Sequence, residues 1–125
     1  MMESKLESVT FSDIQLVDLV TLTKAELDEL PFGVVGLSTA GLVEVYNATE
    51  SKLAGLSADR VIGSHFFIST AQCMNNFMVA ERFESEAELD TVIDYVLTFR
   101  MRPTPVRIRL MKSSSVSRRY LLIQY

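Results

Sequence analysis

Apolar residues crowd the stretch from Phe32 to Tyr46, broken by glycines rather than by a helical stripe of polar positions. The pattern predicts a hairpin: one strand over 32–38, a turn at Thr39-Ala40-Gly41 and a second strand over 42–46. From Thr91 the alternation has period two. Ile93, Tyr95, Leu97, Phe99 and Met101 share one face, and Asp94, Thr98, Arg100 and Arg102 share the other. Pro103-Thr104-Pro105 turns that long strand, and 106–112 with 119–125 form a closing hairpin around Ser113 to Ser117.

Between the two β regions the spacing becomes helical. Asn47 is a good N-cap for a helix over 48–54 that Gly55 ends, with Leu53 and Leu56 as its apolar contacts. Residues 57–63 read as a further helical turn closed by glycine. Asn75 or Asn76 is expected to cap a longer helix carrying Phe77, Ala80, Phe83 and Ala87 on one side and glutamates on the other. Residues 1–30 read as two short helices, each opened by a hydroxyl-x-x-Gln/Glu box: Ser12 with Gln15, and Thr23 with Glu26. A stripe of Phe11, Ile14, Val17 and Val20 predicts that this arm lies on the body of the protein.

The order ββ, helices, βββ predicts an α+β fold: an antiparallel sheet covered on one face by crossover helices, with an N-terminal helical cap. The expectation is a single domain over 1–125, with 1–30 as the cap and 31–125 as the core. A concave space between sheet and crossover is where a ligand would sit.

Composition narrows the class. The chain has 125 residues, 48% hydrophobic, which suits one core. One cysteine, no apolar leader and no membrane-length apolar run point to a cytoplasmic protein with no membrane role. From Arg100 onward there are seven basic residues and no acidic one. Arg107 and Arg109 alternate with Val106, Ile108 and Leu110, however, as on the wet face of a strand, so no nucleic-acid partner is expected. Attracting the acidic first thirty residues is an equally economical use.

Three residue types carry possible chemistry. Cys73 is the only thiol, open to reading as core residue, reactive thiolate or covalent anchor. Tyr46 ends a strand and Glu50 follows one helical turn later, so phenol and carboxyl can share one apolar space, where the carboxyl would stay neutral. The competing reading is that Asn47-Ala48-Thr49-Glu50 is a capping box, with Glu50 folded back on the Asn47 amide. His65 has no second ligand at metal spacing and is expected to be structural. No nucleophile–base set and no Gly-rich phosphate loop is present, so enzyme chemistry is not expected.

Pro31-Phe32-Gly33, Tyr46-Asn47-Ala48-Thr49-Glu50, Gly63-Ser64-His65-Phe66-Phe67, Ala71-Gln72-Cys73 and Phe99-Arg100-Met101-Arg102-Pro103 together resemble the photoactive yellow protein family over nearly the whole chain. The resemblance implies a PAS-type blue-light photoreceptor that binds p-coumaric acid as a thioester on Cys73. Glu50 would be protonated in the dark and, with Tyr46, would hydrogen-bond the chromophore phenolate. Light would drive trans–cis isomerisation, proton transfer from Glu50 and partial unfolding. Tyr95, Phe99, Met101, Phe66, Leu56 and Ala54 would wall the pocket. Ala54 stands where the family has a hydroxyl-bearing threonine, Leu56 where it has an arginine, Gln72 where it has a proline, and Phe99 where a tyrosine is usual. A downstream signalling protein is implied, with the receptor a monomer or weak dimer. The other readings are a chromophore-free PAS interaction module and a thiol redox sensor acting through Cys73.

Overall fold

A computed structural model describes residues 9–98 and 102–125. Five strands, β1 (Gly33–Leu37), β2 (Val43–Tyr46), β3 (Leu89–Leu97), β4 (Thr104–Ser113) and β5 (Val116–Gln124), form one antiparallel sheet in the order β2-β1-β5-β4-β3. Both hairpins fall where alternation and turn residues placed them. The chain leaves β2 at one edge, crosses the sheet as helices, and returns at the other edge as β3. Phe99 and Met101, expected on the inner face beyond Leu97, lie outside the described residues.

The sheet separates two apolar cores. On its inner face Val35, Leu37, Val106, Ile108, Leu110, Leu121 and Ile123 meet the crossover, which supplies Val61, Phe66, Phe67, Met74 and Phe83. That crossover consists of α3 (Ala48–Ala54), α4 (Ala58–Val61), a π-helical turn over Phe66–Thr70, a 3-10 turn over Gln72–Met74, and α5 (Ala80–Ser85). On the outer face Val34, Met111, Tyr120 and Leu122 are covered by Phe11, Ile14, Leu19, Leu27 and Leu30 of the cap, which contains α1 (Leu16–Thr21) and α2 (Lys24–Glu29). No helix among the described residues is long and apolar enough to cross a membrane.

Several local expectations are corrected. The Thr23/Glu26 box forms as predicted, but the first helix is capped at Gln15 rather than Ser12, and there only the Asp18 carboxylate acts, accepting from the Gln15 amide. Phe11 and Ile14 are buried while Val17 and Val20 are exposed, because the helix starts after Gln15 and its buried position is Leu19. Leu53 also points to solvent, leaving Leu56 to pack on the core. The Asn76 carboxamide oxygen accepts from the Met78 and Val79 amides, so the chain turns there and α5 starts only at Ala80. Phe77 is left 75% exposed.

Arg109 is not on a wet face. Only 4% of it is exposed, because the cap lies over it. Its Nη1 donates to the carbonyls of Phe11 (3.0 Å) and Ile14 (2.6 Å), while Nε and Nη2 hold the Asp90 carboxylate at 2.8 Å each. The cap is thus gripped through its backbone, and the acid partner comes from the neighbouring strand.

Candidate functional site

Asn47 fixes the start of α3 and, with it, the direction of Glu50. Its Oδ1 accepts from the amides of Glu50 (3.0 Å) and Val34 (2.9 Å), and its Nδ2 donates to the carbonyls of Leu27 (2.8 Å) and Phe32 (3.1 Å). One buried side chain therefore joins α2, β1 and α3. Asn47 is the N-cap, but the reciprocal half of a capping box is missing. The Asn47 amide donates to the Val34 carbonyl at 3.1 Å, so the Glu50 carboxyl has nothing to fold back on. Gly55, with φ 75°, takes the left-handed conformation that ends the helix.

Glu50 instead points into the protein and is 0% exposed. It has no cation partner among the described residues. Its carboxyl receives the Tyr125 hydroxyl at 2.9 Å from Oε2 and 3.1 Å from Oε1. Burial pushes its pKa up to about 8, against a smaller opposing pull from the Tyr125 hydrogen bond, so the group is neutral at neutral pH. Tyr46, 5% exposed at the end of β2, has its phenol pKa raised by burial and then by the nearby Glu50 charge. Its hydroxyl has no hydrogen-bond partner among the described residues.

Cys73 lies half-buried on the 3-10 turn and packs against the core cluster that contains Tyr46. Its carbonyl is held by the Tyr95 hydroxyl (2.5 Å) and by Asn76 Nδ2 (3.2 Å), which also donates to the Tyr95 oxygen at 2.7 Å. Tyr95 comes from the inner face of β3, so its parity was legible while its tie to the cysteine turn was not. Phe66 and Ala54 are buried, and Leu56 is partly buried against the same core. The structure thus gathers Tyr46, Cys73, Tyr95, Phe66 and Leu56 around one core, while Phe99 and Met101 lie outside the described residues.

A cleft of about 740 Å³ opens beside this arrangement, lined by Tyr95, Tyr125, Met78, Val96, Pro105 and Val106 among others. Among the described residues, Tyr95 and Tyr125 connect it to the two ends of the site. Tyr46, Glu50 and Cys73 are not among its described walls. Tyr125 is the residue that sequence reasoning missed. It has the inward parity of Leu121 and Ile123, which was the available signal, but nothing in the sequence pairs it with Glu50. His65 sits against Gly41 with its Nδ1 buried and unpartnered, and no group of three possible metal ligands exists among the described residues.

Over 92 residues, 71% of this chain and 74% of the relative, the sequence is 33% identical to the photoactive yellow protein of Rhodothalassium salexigens. The chain belongs to the photoactive yellow protein family. It is also 32% identical over 98 residues to the photoactive yellow protein of Halochromatium salexigens, covering 76% of this chain and 78% of that one. The family is also visible in three dimensions. The photoactive yellow protein domain of the sensor histidine kinase Ppr from Rhodospirillum centenum superposes with a TM-score of 0.76 at 34% identity, covering 83% of this chain and 94% of that chain. The PAS domain of an HTR-like protein from Haloarcula marismortui shares the fold at 13% identity, with a TM-score of 0.64 and coverage of 87% and 98%. No family model matches the chain.

Proposed function

We propose that the protein is a blue-light photoreceptor that carries p-coumaric acid as a thioester on Cys73. The observation that carries this reading is the neutral, fully buried Glu50 carboxyl beside the buried Tyr46 phenol, bordering the core that Cys73 joins. The residues suit the group. A phenolate in an apolar pocket needs hydrogen-bond donors that bring no net charge, and a protonated carboxyl and a phenol are such donors.

When bound, p-coumaric acid supplies a phenolate and a double bond that light isomerises. The rest falls to the chain. Cys73 Sγ attacks the acyl carbon of an activated donor, forming the S–C bond as the donor's leaving group departs and the thiol proton is lost to solvent. Glu50 holds its proton in the dark, donates a hydrogen bond to the phenolate oxygen, and passes the proton to that oxygen after illumination. A new carboxylate then stands in a core without a cation, an unfavourable state that partial opening relieves. The cap over 9–30 responds, and a downstream protein reads the change. The photochemistry involves no turnover. Tyr95, Phe66, Leu56 and Ala54 serve as walls and supports.

Apoprotein mixed with an activated coumaroyl donor is expected to gain a visible band that bleaches in blue light and recovers in darkness. Cys73→Ala is expected to gain none. Glu50→Gln should move the band to longer wavelength, since an amide is a weaker donor than a neutral acid. The absence of a band in the wild type, or an unchanged band in Cys73→Ala, overturns the reading. Association that depends on oxidation of Cys73, without a band, would assign the thiol to redox sensing instead.

A further inference from the structure

Glu50 is enclosed by β1 at Gly33, by Tyr46 of β2, by its own helix, and by Tyr125 beyond the end of β5. Tyr46 and Tyr125 are the titratable side chains that face it, and no charged group pairs with it among the described residues. Tyr125 differs from Tyr46 in one respect that matters: its hydroxyl already donates to the carboxyl, within 3.1 Å of both oxygens.

We propose that Tyr125 is a positioning residue that weakens the hold of Glu50 on its proton and steadies the carboxylate once the proton has gone. An O–H aimed at a carboxyl makes an ordinary bond to the neutral acid and a charge-assisted one, roughly twice as strong, to the anion. A donor fixed in this place therefore favours the ionised form in a site where everything else favours the neutral one. Tyr125 is 39% exposed and lines the open cleft, so the hydroxyl reaches the buried acid from a ring that solvent can touch. In the photoreceptor role, on which this consequence rests, Tyr125 limits the cost of the light-generated carboxylate. The structural change that follows proton loss is accordingly smaller than a donor-free carboxylate would drive.

The test uses apoprotein and needs no chromophore. The Glu50 carboxyl is followed by its infrared C=O band, assigned by its absence in Glu50→Gln, and titrated in wild type and in Tyr125→Phe. The ring is retained and only the donor is lost. The midpoint should rise by about one pH unit, tenfold in proton affinity. An unmoved or lowered midpoint in folded Tyr125→Phe overturns the proposal. Should that variant not fold, 3-fluorotyrosine at position 125 supplies a more acidic donor, which must lower the midpoint; no shift overturns the proposal equally. If the midpoint moves but coumaroyl donor gives no band, the photoreceptor reading fails and the role of Tyr125 stands. If the band forms and the midpoint stays, the reverse holds.

Discussion

Gly33 and Glu50 are fitted to each other so closely that a Cβ on Gly33 would lie 2.0 Å from Glu50 Oε1 and 3.0 Å from its Cδ. The glycine is required by space rather than by backbone conformation, since it is not among the residues with positive φ. The carboxyl is wholly enclosed and cannot swing into solvent. Gly33→Ala should therefore displace it, break the Tyr125 bond and cost about 1–3 kcal/mol, the usual penalty of overpacking. Urea unfolding measures the cost, and the Glu50 infrared band reports the displacement. A variant with wild-type stability and an unmoved band would show that the acid has room the structure does not give it.

The elevated pKa of Glu50 also makes a prediction about pH. The unfolded chain loses this proton near 4.5, whereas the folded protein keeps it until about 8. Unfolding therefore releases a proton in between. The contribution of Glu50 to stability is full below about 4.5, declines as pH rises through the window, and levels off above about 8. Its size is of the order of a few kcal/mol, since each tenfold difference in proton affinity between the folded and unfolded chain is worth roughly 1.4 kcal/mol. Glu50→Gln should remove this slope. Denaturation at about pH 5 and about pH 8 decides the matter, and parallel pH profiles for variant and wild type would contradict the burial of a neutral acid.

The strands and the two-layer plan were legible because alternation and turn residues report which way each side chain faces. What covers a face is not written in its own strand. Arg109 has the right parity for solvent, and only the cap, almost a hundred positions earlier in the chain, makes it a buried residue. Glu50 illustrates the same limit. Asn47-x-x-Glu50 fits a capping box, and the box fails only because the Val34 carbonyl claims the Asn47 amide. Phe77 was misplaced because Asn76 does cap amides, but those of a turn rather than of α5. The candidate site was readable as residue types. Its hydrogen bonds, from Tyr95 to the Cys73 carbonyl and from Tyr125 to Glu50, span 22 and 75 positions and left no local pattern.

Asn47 should be among the costliest polar residues to remove. Asn47→Ala leaves the amides of Val34 and Glu50 and the carbonyls of Leu27 and Phe32 without their partner, all in a buried setting. A lost cap alone costs about 1 kcal/mol, and each stranded buried group adds to it, so a loss of about 3 kcal/mol or more is expected. Thr23→Ala removes an exposed cap of the same kind and should cost only about 1 kcal/mol. Equal losses for the two variants in urea would mean that the four bonds of Asn47 do not act together.

Arg109 offers the last discrimination, between an ion pair and a backbone grip as the device that holds the cap. The Arg109 side chain is 5% exposed and the Asp90 side chain 52%, so the carboxylate can return to water if the arginine is lost, whereas the arginine cannot if the carboxylate is lost. Asp90→Asn takes the counter-charge from a buried cation while leaving its two carbonyl bonds in place, and should cost about 3 kcal/mol without stranding the cap backbone. Arg109→Met keeps much of the apolar stem but strands the carbonyls of Phe11 and Ile14 beneath the cap, at a cost of about 2 kcal/mol. Hydrogen exchange over 9–30 should quicken strongly in Arg109→Met and little in Asp90→Asn. If both variants free the cap alike, the ion pair is the latch; if only the arginine variant does, the grip on the two carbonyls is what must be released for the cap to respond to events at Glu50.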